Sequence, residues 1–462
     1  MKKPLSILRF MVRRLLTLLS IAIKALCFVP ILLFMVWFNY TVDISGLFQG
    51  ELAPREICNL LLEGKTVANY DQMDERAVLE LYVQNLSKEQ VPTTLAIGSS
   101  RVMQLTKEIA GDASFFNAGM SGAGLMDVIN AFYLFDRADK LPQTLIFEVD
   151  PWLFNGVSSQ DLNKRADSEL FAEFLQLCLG RDTGYEAPNQ LEHWKALLDP
   201  SYFQGNVRYF LKQKQEQAAA GSQASDSPFF AVDMSQIDDL SYTVKRPDGS
   251  IYYQKDFRNW TYDQMMAEVL AQAGTIQQMH GFDSMDPYWT QIFEEFVAYV
   301  QSRGVKVIFL LTPYHPFVLK HVANNPQGLE GFFQVEPWLR QFAQEHNIPL
   351  YGSYHASRVG IQEWLFFDGI HCKGEALRLM FPGVEAALQG QQTAYQQEYL
   401  NRYGKEYPAL VEQATVGTTA DCLVVDENWF LQAQADTGLG TPYAADFDQD
   451  AIEAQASQGD SP

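Results

Sequence analysis

The chain has 462 residues and a formal net charge of −22, which allows two or three domains and argues against a nucleic-acid-binding surface. Its 47% hydrophobic content suits a large globular core. The five cysteines, Cys27, Cys58, Cys178, Cys372 and Cys422, show no CxxC pair and no zinc-ligand spacing, so no metal centre and no other cofactor is expected.

In chain order, residues 1–14 carry Lys2, Lys3, Arg9, Arg13 and Arg14, and Leu15 to Tyr40 then reads LLTLLSIAIKALCFVPILLFMVWFNY. This run has 26 residues with Lys24 as its one charge, and about 20 apolar residues suffice to span a bilayer as a helix. A cleaved signal peptide and a buried core helix are the alternatives. The run is longer than a signal-peptide core, and no small-x-small cleavage site follows it. Trp37 and Tyr40 suit the interface, and the first charges beyond the span are Asp43 and Glu51. A single-pass anchor is expected over 15–40, with residues 1–14 in the cytoplasm and the rest of the chain across the membrane. There, the cysteines other than Cys27 could form up to two disulfides.

Residues 41–90 are expected to form a helical stalk, from APREICNLLLEG and DERAVLELYVQNLS. From residue 91 the pattern alternates strand and helix. TTLAIGSS, QTLIFEVDPWLF, VKVIFLLTPYHP and IPLYGSY read as strands, and LMDVINAFYLFDRADKLP, DPYWTQIFEEFVAYVQSRG and VEPWLRQFAQEHN as helices. That rhythm predicts an α/β fold with a parallel sheet flanked by helices over about 91–390. About 155–281 interrupts it as a large insertion, with a hairpin in YTVKRPDGSIYYQKDF turning at Asp248-Gly249. Residues 391–462 are Gln-rich, then acidic: from Asp421 onward there are nine Asp or Glu and no Lys or Arg, and a partly disordered tail is expected.

Ser100 lies in LAIGSSRVM, just after the first predicted strand, where open α/β sheets bind ligands. Alone, this reads first as a Gly-Ser turn capping a helix. A serine hydroxyl needs a base, and His371 stands in DGIHCKGEA, three residues after Asp368. An imidazole can take the serine proton, and a carboxylate fixes its tautomer. The alternative is that Asp368 caps a helix and His371 is a surface residue. Gly122 in NAGMSGAG can supply a backbone N–H to an oxyanion, or simply belong to a Gly-rich turn.

Four segments in order, GSSR, NAGMSG, LIFEVDPW and DGIH, resemble the SGNH/GDSL hydrolase superfamily, over roughly Thr93 to Pro382. The resemblance implies an SGNH (flavodoxin-like) sheet with Ser100 as nucleophile, Asp368 and His371 as its partners, and the N–H groups of Ser100 and Gly122 as oxyanion donors. The family's third block ends in an asparagine that completes the oxyanion hole. Here Trp152 stands in register, with Asp150 and Asn155 as out-of-register substitutes. The anchor, GSSR, the DPW-type block and DGIH together are similar to cell-envelope members such as the alginate O-acetylation accessory proteins and the D-alanyl-lipoteichoic acid transfer protein.

That similarity implies a periplasmic acyltransferase at a bacterial inner membrane, O-acylating (acetylating) a cell-envelope polysaccharide beside a multi-spanning membrane O-acyltransferase. A carbohydrate esterase or lipase-like hydrolase, and a non-catalytic scaffold of a polysaccharide-modifying complex, stand as alternatives. Arg101 is a candidate for an anionic group or a surface ion pair, and His315 in TPYHPF a rival base, a substrate contact or a structural histidine. The hairpin from Tyr242 to Trp260, with its cations and aromatics, could hold a glycan or be solvated and packed by its own rings.

Overall fold

A computed structural model describes residues 24, 28–42, 52–182, 194–220, 228–274, 278–319, 328–359, 361 and 363–391. The described chain divides into two units, one within Met1–Glu56, Gln72–Asp74 and Glu186–Phe229, the other within Ile57–Asp71, Glu75–Tyr185 and Phe230–Pro462. Nine strands occur among the described residues: β1 Thr66–Ala68, β2 Thr94–Ile97, β3 Phe115–Asn117, β4 Thr144–Glu148, β5 Ala231–Val232, β6 Val244–Lys245, β7 Ile251–Tyr252, β8 Lys306–Leu311 and β9 Leu350–Gly352.

The second unit is built on a five-stranded parallel sheet of order β3-β2-β4-β8-β9. Parallel strands bury both faces, which explains why TLAI, TLIFE and VIFLL are almost unbroken apolar runs. Alternate side chains serve opposite faces. Ala96, Ile146, Ile308 and Leu310 join a core closed by Leu377 and Met380 of the helix Gly374–Met380. On the other face, Phe147 and Phe309 pack on Phe293 of the helix Pro287–Ser302, at ring separations of 5.3 and 5.6 Å. The helix Leu125–Arg137 is buried along almost its whole length and lies between β2 and the helices Glu75–Asn85 and Ser168–Leu177.

The strand order reverses direction at β2, whose two neighbours are β3 and β4. In open α/β sheets the crevice beyond the carboxyl ends at such a switch is where ligands bind. Ser100 follows β2 by three residues, so it stands at that crevice.

The segment 41–90 departs from the expected helical stalk. It contains the helices Leu52–Leu62 and Glu75–Asn85, and between them β1 is the second strand of a small antiparallel sheet, order β5-β1-β6-β7. Three residues carry little strand signal of their own, and here the pairing is supplied by partners far along the chain: Thr66 with Val232, and Val67 with Lys245. Glu75–Asn85 packs on Leu125–Arg137, and Tyr82 stacks on Phe116 at 4.2 Å. The expected insertion is divided likewise, with part in each unit.

In the first unit the helix Val29–Val42 packs on the helix Pro200–Ala220 through Phe38 and Phe203, and Asn39 bonds both the Leu197 carbonyl and Asn206. Of the expected span 15–40, residues 15–23 and 25–27 lie outside the described residues. Among the described residues no helix is long and apolar enough to cross a membrane. Cys58, Cys178 and Cys372 carry free thiols, while Cys27, Cys422 and the tail beyond residue 391 lie outside the described residues.

Candidate active site

The turn after β2 presents two adjacent serines in opposite senses. Ser99 is buried, and its Oγ accepts the Arg101 N–H at 3.1 Å. Ser100 is partly exposed, and its Oγ lies 2.8 Å from His371 Nε2. His371 Nδ1 is 2.7 Å from Asp368 Oδ2. The other carboxylate oxygen of Asp368 accepts the N–H groups of Ile370 and His371, at 2.8 and 2.7 Å. Burial on its own would raise the Asp368 pKa. The adjacent imidazole and those N–H donors outweigh it and hold the carboxyl down at about 2. Asp368 is therefore a fixed negative charge at neutral pH, hydrogen-bonded to the ring it orients. Next to His371, the Cys372 thiol is buried, which pushes it up to about 12 and keeps it un-ionised at neutral pH.

The loop after β3 runs alongside the turn that carries Ser99 and Ser100. Ala118 N–H donates to the Ala96 carbonyl and Met120 N–H to the Gly98 carbonyl. Asn117 locks the two together, its Nδ2 reaching the carbonyls of Val102 and Leu105. The loop then surfaces at Ser121 and Gly122. Glu75 holds the Ser121 N–H at 2.6 Å, and the exposed Arg165 donates to the Ser121 and Gly122 carbonyls at 2.9 Å each. The N–H groups of Ser100 and Gly122 find no acceptor among the described residues. The roles of Glu75 and Arg165 were invisible in the sequence, since neither lies near a motif.

The residues considered as substrate contacts need correction. Arg101, Asp150, Trp152, Asn155 and His315 are all at least 97% buried and offer no surface to a substrate. Arg101 is not a surface residue: its guanidinium bonds Asp150 Oδ1 at 2.6 Å, the Thr312 carbonyl at 2.5 Å and the Ile370 carbonyl at 3.1 Å. It thereby ties the turn that carries Ser100 to the loop that carries His371. The Trp152 indole N–H is spent on the Ala123 carbonyl at 3.0 Å, so Trp152 steadies the Gly122 loop. Asn155 caps the helix Gly156–Leu162, and its Nδ2 bonds the carbonyls of Gln278 and His280. The side-chain donors of Trp152 and Asn155 are therefore both committed to backbone carbonyls.

His315 accepts the Phe317 N–H on Nδ1, its backbone N–H donates to the Gly369 carbonyl, and its Nε2 has no partner among the described residues. Burial drives its pKa down to about 3, so it is a neutral structural ring behind the Asp368 loop.

The hairpin β6–β7 is neither solvated nor open. Its turn seats Asp248 O on Asn117 N–H at 2.7 Å, and Ile251 N–H bonds the Met103 carbonyl. A Cβ at Gly249, where φ is +79°, would stand 2.1 Å from the Asn117 carbonyl, so only glycine lets the hairpin approach this closely. Beyond it, Phe257, Trp260, Thr261 and Met265 meet Phe367 and Lys373 around a cavity of about 110 Å³, at the flank of the loop bearing Asp368 and His371.

No protein-family model matches the sequence, and no curated protein matches it.

Proposed function

We propose that this chain is an SGNH-type serine enzyme of acyl transfer, and that its Ser100–His371–Asp368 array works as a catalytic triad. The observation that carries the reading is the unbroken series Oγ to Nε2 at 2.8 Å and Nδ1 to Oδ2 at 2.7 Å, set at the switch point of the parallel sheet. Ser100 Oγ attacks the acyl carbonyl while its proton passes to His371 Nε2. The N–H groups of Ser100 and Gly122 receive the oxyanion. Collapse expels the donor's oxygen, which takes the proton from Nε2 and leaves an acyl-Ser100. An acceptor hydroxyl then gives its proton to Nε2 and attacks the acyl carbon, and Ser100 Oγ departs, taking that proton back from Nε2. Asp368 stays ionised throughout. With the side-chain donors of Trp152 and Asn155 committed to backbone carbonyls, the two backbone N–H groups carry the oxyanion.

The acceptor in this reading is a polysaccharide hydroxyl at the bacterial cell envelope, and the acyl group reaches the site from a multi-spanning membrane O-acyltransferase. In this reading the cavity beside the base loop, lined by Phe257, Trp260, Phe367 and Lys373, is where the acceptor approaches. Membrane attachment through 15–40 is supported by Phe28, Ile31, Leu33, Phe34 and Trp37, each more than half exposed. Hydrolysis of a small acetyl ester, with and without added glycan acceptor, tests the reading. Ser100→Ala should abolish both reactions, and a glycan that diverts acetyl from water to itself marks a transferase. Undiminished turnover by Ser100→Ala would refute the assignment.

A further inference from the structure

We propose that Glu148 is a positioning residue of this site: as a neutral carboxylic acid it grips the Ser99 N–H and so fixes the peptide that presents the Ser100 hydroxyl and its oxyanion-binding N–H. The proposal rests on Ser100 being the nucleophile. Glu148 ends β4 and is fully buried. Its Oε2 accepts the Ser99 N–H at 3.0 Å, and its Oε1 the Thr312 hydroxyl at 2.9 Å. The backbone makes room for it, because a Cβ on Gly98 would stand 2.6 Å from Oε2 and 2.7 Å from the Glu148 Cβ. The exit of β2 is thus shaped around this side chain.

Charge balance decides its state. A single guanidinium, Arg101, faces two carboxyl groups, Glu148 and Asp150, and it is committed to Asp150 at 2.6 Å. Burial, then the charge of Asp150, pushes the Glu148 carboxyl well above the ordinary range, against the pull of Arg101 and the Ser99 N–H. The other titratable groups that face it are Tyr314 and Cys372, both raised by burial and neutral. A second negative charge here would weaken the stabilisation of an oxyanion one residue beyond Ser99.

The test is the rate at which a neutral serine-directed phosphonate labels the full chain across the pH range, in the wild type, Glu148→Gln, Glu148→Ala and Ser100→Ala. Glutamine is a neutral side chain of the same shape, and its carbonyl oxygen can still accept the Ser99 N–H. Glu148→Gln should label within about threefold of the wild type at neutral pH, and keep its rate in alkali where the wild type declines. Glu148→Ala should slow by about 100-fold, the loss seen when one oxyanion donor is misplaced. Should that variant fail to fold, the pH profile of Glu148→Gln decides alone. A Glu148→Gln protein as slow as expected for Glu148→Ala, or sharing the wild-type alkaline decline, overturns the neutral-acid role while leaving the triad intact. So does a Glu148→Ala protein that labels at the wild-type rate. Labelling of Ser100→Ala overturns the nucleophile, and this proposal with it.

Discussion

Asp368 is the residue whose charge state most directly links the site to stability. Its folded pKa, about 2, lies below the ordinary 3.8, so it contributes stability above the unfolded value that is lost as pH falls from about 4 toward 2. The shift corresponds to about 2 kcal/mol. Denaturant melts should show the wild type losing that amount over this window, and Asp368→Asn losing none of it; equal acid sensitivity of the two proteins would refute the account. The same substitution should lower kcat by about 10⁴ with little change in KM, because an amide favours the wrong imidazole tautomer. Trp152→Phe keeps the ring packing but drops the bond to the Ala123 carbonyl. A loss of about 1–3 kcal/mol and a lower kcat are expected, since a buried carbonyl is left unsatisfied beside the Gly122 loop. The meeting of Ser100, Asp368 and His371 was legible in the sequence because each sits in a short motif of residue types that pair by hydrogen bonding. Glu148 was not, since it reads as the polar end of an apolar strand. The signal lay in LIFEVDPW itself: an acid closing a fully apolar run must find a partner or hold a proton.

At the scale of elements, β2, β4, β8 and the helix Leu125–Arg137 announce themselves by continuous or periodic apolar residues, and the Asp248-Gly249 turn by its dipeptide. β1 does not, because three residues gain strand character only by pairing with segments more than 160 positions away. The function of the hairpin was also hidden. Its role as a clamp depends on backbone contacts to Asn117 and Met103 that no periodicity encodes. Gly249→Ala tests the clamp. The added methyl meets the Asn117 carbonyl at φ +79°, and backbone on both sides leaves no side chain to move aside. A loss of at least about 2 kcal/mol in chemical denaturation is expected, together with slower turnover. A variant as stable as the wild type would show that the hairpin does not press on the end of β3.

For the molecule as a whole, the positive charges before 15–40 and the acidic residues after it lead us to propose that the chain beyond residue 41 lies outside the cytoplasm. A periplasm-active reporter joined after residue 60 should be active, and activity only of a cytoplasm-dependent reporter at that position would reverse the topology. The central claim is narrower and rests on one atom. Intact-mass measurement after exposure to a serine-directed phosphonate reads it most directly. The account predicts a single adduct on the peptide containing Ser99 and Ser100, kept in Ser99→Ala, greatly slowed in His371→Ala and absent in Ser100→Ala. An adduct that persists in Ser100→Ala but disappears in Ser99→Ala, or that forms as fast without His371, would contradict it.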